Sequence, residues 1–431
     1  MPEFSDRLNR LPPYIFTRIT QLKKEAYAKK LDVIDLGMGN PDQPTPAPVV
    51  ERLCDTVRNH PSTHRYPQAK GIPKFRKTIA AWMQKRFGVD LNPDNEITAL
   101  IGSKEGIAHL AMAVLNPDEA VLVGDPSYPA HFNGVILAGG EVHSIPLKPE
   151  NDFLPELEKI PEKVIRKSKL LFLNYPNNPT AAVVPDKAVF RDWVRFAKKY
   201  DLIVCHDNAY SEITFDGYVA PSFLEVEGAK EVGVEVHSCS KSYNMAGWRI
   251  GWMCGNPRVV AAVEKFKSFL DYGAPTFIQL SAVAAMEAWP ESVRPVVKIY
   301  QKRRDVMVDG MAKLGWAVPR PRATMYLWAP LPEPFREMGS LAFAEKLIRE
   351  TGVAVAPGVG FNAGGEGYIR MALVTHDKRF HDVLLRFKKL LANGSKASLL
   401  PSREKTGMRD GVEGKGHPSP PSSPLKGEEV P

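Results

Sequence analysis

Cysteine is scarce: the chain has 4 in 431 residues, and no C-x-x-C pair among Cys54, Cys205, Cys239 and Cys254. Reduced thiols in a cytoplasmic protein are the simplest account. No run of about 18 apolar residues exists, so no helix is expected to span a membrane. The opening Met-Pro-Glu-Phe-Ser-Asp-Arg lacks the apolar core of a signal peptide. The formal net charge is +8, yet no lysine/arginine run exceeds three residues. No basic stripe alternates with aromatics as a nucleic-acid groove requires. The charge balance therefore reads as a mildly basic surface that attracts small anions rather than nucleic acid.

What is present is length and apolar content. With 44% hydrophobic and 25% charged residues, the chain has the composition of a globular protein long enough for one large and one small domain. Residues 1–45 read as an N-terminal arm that contributes to the smaller domain, with a helix from about position 17 whose Ile19, Leu22 and Ala26 share a face. From 46 to 290 helical patterns (49–59, 73–87, 188–199) alternate with short apolar runs (97–101, 120–123, 170–173, 202–205, 250–254). Such runs predict a mostly parallel sheet covered on both faces, a three-layer α/β/α large domain. Residues 291–393 predict a smaller α/β domain: a long helix over 291–314 and short strands near 325–328, 353–356 and 368–373. Residues 394–431, rich in Gly, Ser, Pro and mixed charge, predict a disordered tail.

In an open parallel sheet, ligands bind beyond the carboxyl ends of the strands, and the informative residues lie there. One run ends in Gly102-Ser-Lys-Glu-Gly106, another in Asp125-Pro-Ser-Tyr128-Pro-Ala-His131. Two more end in Asn174-Tyr-Pro-Asn-Asn178-Pro-Thr180 and Asp207-Asn-Ala-Tyr210. The most telling stretch is Val236-His-Ser-Cys-Ser-Lys241, followed by Arg249 eight residues after the lysine. A lysine amine becomes a nucleophile when burial or a nearby cation lowers its pKa. Ser238, Ser240 and Arg249 have the chemistry to hold a phosphate. A phosphate site beside such a lysine points to a phosphorylated aldehyde carried as a Schiff base, which is pyridoxal 5'-phosphate. Each motif alone is also compatible with a turn or a helix cap; their coincidence at neighbouring strand ends is not explained by packing.

On N-N-P-T at 177–180, D-x-A-Y at 207–210 and S-x-S-K-(x7)-R at 238–249, the chain resembles the pyridoxal-phosphate-dependent aminotransferases of fold type I, class I/II. The resemblance covers about residues 10–395. The wording of L-P-P-Y-I-F, L-G-M-G-N-P-D, G-S-K-E-G and S-K-S-Y-N-M-A-G-W-R-I-G is most similar to bacterial glutamate–pyruvate (alanine) aminotransferases of the AlaC type, with LL-diaminopimelate aminotransferases as neighbours. One departure is Ala181, where a glycine commonly follows N-P-T.

The resemblance implies roles. Lys241 is expected to bind the cofactor aldehyde and to move the substrate proton. Asp207, supported by His131, is expected to pair with the pyridine nitrogen. Tyr210 and Asn178 are expected to hydrogen-bond the phenolic oxygen, and Tyr128 to stack on the ring. The phosphate is assigned to the backbone of Ser103 and Lys104 at a helix start, to Ser238 and Arg249, and to Tyr66 of a neighbouring subunit. That last assignment implies a homodimer with shared sites. Arg370 is expected to grip the substrate carboxylate, with Gly39 and Asn178 completing the grip. Position in the chain adds Tyr14, Ile15 and Tyr326 as candidates for the side-chain pocket. The implied reaction exchanges an amino group between an L-amino acid and a 2-oxo acid, with L-alanine and 2-oxoglutarate giving pyruvate and L-glutamate as the leading pair. A diaminopimelate or broad-range aminotransferase is the alternative, and a pyridoxal-phosphate carbon–sulfur β-lyase a third. A ligand-sensing transcription regulator is disfavoured, because about 45 residues before the large domain are too few for a winged helix and linker.

Overall fold

The computed structural model describes residues 3–12 and 15–398. A short strand β1 (Ile34–Asp35) follows the helix Ile15–Ala28. The large sheet comprises β2 (Ile97–Leu100), β3 (Ala120–Asp125), β4 (Glu141–Pro146), β5 (Ser168–Leu173), β6 (Ile203–Asp207), β7 (Gly233–Ser238) and β8 (Gly251–Gly255). Their order is β2-β8-β7-β6-β5-β3-β4. All pairings are parallel except those of β8, which runs against both β2 and β7.

The near-continuous apolar strands are explained by their two covered faces. Along β5, Leu171 and Leu173 join one core, with Trp82, Phe190, Trp193 and Val283 of the helices Pro73–Phe87, Ala188–Tyr200 and Thr276–Glu287. Leu170 and Phe172 point the other way, to Ile107, Leu110, Val135 and Val263 of Ser103–Val114, Pro129–Leu137 and Pro257–Leu270. Successive strand side chains alternate between faces, so a strand buried on both must be apolar throughout.

A separate core unites Ile19, Leu22 and Ala26 with Tyr300, Met307 and Met311 of the helix Arg294–Lys313. It includes residues of β9 (Tyr326–Pro330), β10 (Val353–Ala354) and, beyond β11 (Ala356–Pro357), of β12 (Tyr368–Ala372), with which β11 pairs. β10 pairs with β1, which ties the N-terminal segment to this unit. Arg303 holds the loop after β1 through both oxygens of Asp42, at 2.7 and 2.8 Å. The last helix, Asp377–Ser398, takes in the first five residues of the stretch expected as a disordered tail. Gly394 costs a helix about 1 kcal/mol without breaking it. The rest of that tail, and Tyr14, lie outside the described residues. Among the described residues no helix is long and apolar enough to cross a membrane.

Candidate active site

A cavity of about 430 Å³ opens at the carboxyl ends of the parallel strands. The reversed direction of β8 puts its first residue, Gly251, opposite both Leu100 and Ser238. Arg249 therefore arrives at the same edge as the other loops. Its guanidinium donates to the carbonyls of Ala246 (2.9 Å) and Ile101 (3.3 Å), beside the start of Ser103–Val114. Gly102 has φ 81, and a Cβ there would strike that guanidinium. The positive φ favours glycine, and a side chain there would displace the guanidinium from this edge.

Lys241 lies in a helical turn that starts directly after β7, where Ser238 Oγ accepts from the Ser240 amide at 3.1 Å. Its amine donates to the Gly39 carbonyl at 2.5 Å. Burial holds this amine below the ordinary lysine value; Arg370 and Arg249 add to the effect, and Tyr326 and Asp207 oppose it. A larger neutral fraction is what a nucleophilic lysine requires.

Asp207 closes β6. Its Oδ2 lies 3.2 Å from His131 Nε2, and His131 Nδ1 lies 2.8 Å from Ser127 Oγ. His131 is only 1% exposed, so it supports the aspartate and is not a surface histidine. Asp207 Oδ1 is buried and finds no hydrogen-bond partner among the described residues. Such an atom is costly unless a ligand donor meets it.

At the opposite wall Arg370 donates to Asn178 Oδ1 (2.7 Å) and to the Gly37 carbonyl (2.9 Å), while its buried Nε has no partner. The guanidinium lies 4.2 Å from the Tyr326 ring and 4.6 Å from that of Phe361, which fixes its plane. Asn178 Nδ2 reaches Tyr210 at 3.4 Å, and the hydroxyls of Tyr210 and Tyr326 are 3.0 Å apart. A Cβ on Gly39 would collide with the Tyr326 hydroxyl, so glycine lets this backbone approach. Ala181, the one departure in the N-N-P-T motif, adopts φ 59, a conformation that favours the glycine more common there.

Ser103, Lys104, Tyr128, Asn178, Asp207, Tyr210, Ser238, Lys241, Arg249, Gly39 and Arg370 all line one cavity. Tyr326 lines it too, but Ile15 does not. Tyr66 is elsewhere: it is 90% exposed, with its ring 5.6 Å from that of Tyr272. Sequence reasoning missed Phe361, Asn133, Met38 and Ala246 in the lining. Phe361 carries no local signal, because it comes from a loop of the smaller unit.

Residues 31–386 match the family described as aminotransferase class I and II. The chain belongs to this family. Among curated relatives, an LL-diaminopimelate aminotransferase of Moorella thermoacetica is 47% identical over 89% of this aminotransferase and 97% of that protein. The glutamate–pyruvate aminotransferase AlaC of Escherichia coli is 45% identical over 93% and 96%. Of solved structures, substrate-bound BacF from Bacillus subtilis superposes with TM-score 0.86 at 37% identity, covering 90% of this chain and 98% of that one.

The aminotransferase uses pyridoxal 5'-phosphate, and the cavity fits it. The orphaned Asp207 Oδ1 matches a protonated ring nitrogen, and the lowered amine of Lys241 matches the aldehyde. Helix-start amides, two serines and Arg249 match the phosphate.

Proposed function

We propose that this aminotransferase exchanges the amino group between L-alanine and 2-oxoglutarate, forming pyruvate and L-glutamate. The observation that carries the reading is the charge of the lining. Asp207 is the only acid among the described lining residues, and it is assigned to the ring nitrogen. A substrate with a distal ammonium therefore finds no free acid there, which supports alanine over a diamino acid.

Bound pyridoxal phosphate supplies a ring that draws electrons from the substrate carbon. Around it, Arg370 orients the substrate carboxylate by its planar fork, with Asn178 holding that fork in place. Asp207, steadied by His131, would keep a proton at the ring nitrogen. Tyr210 and Asn178 would hydrogen-bond the phenolic oxygen, and Tyr128 would fix the ring plane. Ser103, Lys104, Ser238 and Arg249 would hold the phosphate. Lys241 would hold the aldehyde, and its amine is placed to move the proton at the substrate α-carbon.

We also read the enzyme as a homodimer in which Tyr66 completes the partner's phosphate site. Its exposure, beside exposed Phe269 (86%) and Tyr272 (55%), supports this. The free cysteines support a reducing compartment, the cytoplasm. Purified enzyme given alanine and 2-oxoglutarate should yield glutamate and pyruvate. Activity confined to LL-diaminopimelate would overturn the substrate pair; that second reading is favoured by the Moorella relative at 47% identity against 45% for AlaC.

A further inference from the structure

Asp125 is the last residue of β3, three positions before Tyr128 and six before His131. It does not line the cavity. Its side chain instead crosses to the smaller unit. Oδ1 accepts from the Gly364 amide at 2.8 Å, and Oδ2 accepts from Asn362 Nδ2 at 3.0 Å. The same Asn362 amide also donates to Ser144 Oγ of β4 at 3.2 Å. Two residues along the chain from Asp125, the Ser127 amide donates to the Phe361 carbonyl at 3.0 Å. A Cβ on Gly364 would lie 2.6 Å from the Asp125 carbonyl, so the loop is seated directly on the strand end. Asn362 has φ 85, a conformation that needs support from its surroundings.

These bonds seat residues 361–364, and Phe361 is the ring 4.6 Å from the Arg370 guanidinium. Removing them frees one of the two aromatic faces that hold Arg370. We infer that Asp125 is a positioning residue: it latches the 361–364 loop to the large sheet and thereby sets how tightly Arg370 grips a substrate carboxylate. Ser127 places the same latch next to the Ser127–His131–Asp207 chain, so one strand end serves both the cofactor's and the substrate's anchors. The inference rests on the reading of Arg370 as the carboxylate grip.

The test compares the holoenzyme with Asp125→Ala and Asp125→Asn. Affinity is read calorimetrically for propionate and glutarate, the deaminated skeletons of alanine and glutamate. Amide hydrogen exchange is read over residues 358–365. Asp125→Ala should weaken both acids about tenfold, the scale of losing hydrogen bonds to a charged acceptor, and should speed exchange in the loop. Visible absorbance of the lysine-bound cofactor should stay unchanged. Asn keeps an acceptor for Gly364, so its effect should be smaller, and it decides the matter if the alanine variant fails to fold. Unchanged exchange in both variants, or faster exchange with unchanged acid affinity, would overturn the latch. A separate Arg370→Ala holoenzyme that binds the acids as well as the parent would instead fault the Arg370 reading, leaving loop exchange to judge the docking.

Discussion

Lys241 and Tyr326 share one wall of the cavity, and each alters the proton affinity of the other. Burial alone would raise Tyr326, but the cations Lys241 and Arg370, with a hydrogen bond to Tyr210, hold its hydroxyl below the ordinary tyrosine value. Tyr210 moves the opposite way, pushed up by burial and then by Tyr326. Tyr326 in turn raises the Lys241 amine against burial. Tyr326→Phe should therefore lower that amine further. In cofactor-free enzyme, the pH midpoint for covalent capture of pyridoxal phosphate should move to lower pH. A midpoint that stays put or rises would contradict this electrostatic account. Replacing the amine itself is a harsher test. Lys241→Ala should still take up the cofactor through its phosphate contacts, give no borohydride-trapped adduct, and lose at least about a thousandfold in turnover. Turnover near that of the parent would remove Lys241 from the mechanism.

At the scale of elements, β6 and β7 deliver Asp207 and Lys241, and a buried carboxylate on β7 bonds across to β6. Glu235 of β7 accepts from His206 (2.8 Å), His237 (2.7 Å), Ser222 Oγ (2.9 Å) and the Phe223 amide (2.8 Å). Burial would raise its carboxyl, but His237 and His206 outweigh burial and hold it well below the usual carboxylate range. A depressed folded pKa gives stability that is complete above the unfolded value of about 4.3 and is lost as pH falls below it. Glu235→Gln should cost about 3 kcal/mol or more at neutral pH, because several buried donors lose the charged acceptor they share and an amide N–H₂ is turned toward some of them. Urea titrations should show the gap to the parent narrowing below about pH 4, and a gap independent of pH would refute the charge argument. This group was not legible as a unit in the sequence, since His206 and Glu235 meet only when the two strands pair. The strand-end motifs were legible because each is a short contiguous run: Gly102 to Gly106, Asn174 to Thr180, Asp207 to Tyr210. β4 was not, as its partly exposed Glu-Val-His-Ser-Ile-Pro lacks the apolar run of a central strand. The direction of β8 was equally hidden, because Gly-Trp-Met-Cys-Gly reads the same whichever way the strand lies.

For the whole molecule, the informative surface is the one that leaves large apolar side chains in water. Phe269, Leu270 and Tyr272 lie at and just past the end of the helix Pro257–Leu270, with Tyr66 beside Tyr272. That patch is wired to the phosphate end of the cavity. Lys267, fully buried, donates to Glu105 (2.7 Å) and Asp271 (3.2 Å), and Glu105 Oε2 accepts from the Ile101 amide (2.7 Å) just before Gly102. A second copy seated on this patch would cover it and brace the loop that faces the phosphate. In a twofold dimer every loss is counted twice. If the proposed dimer buries this patch, Phe269→Glu would remove about 1.5–3 kcal/mol of burial per copy, enough to weaken association by two or more powers of ten. Light scattering should then show monomer at micromolar concentration, and cofactor dissociation should quicken with it. Tyr66→Phe separates the two effects: it keeps the ring and loses only the hydroxyl. It should remain dimeric while releasing pyridoxal phosphate about tenfold faster, the scale of one hydrogen bond to a charged phosphate. A Tyr66→Phe enzyme that holds its cofactor as firmly as the parent would confine Tyr66 to its own subunit.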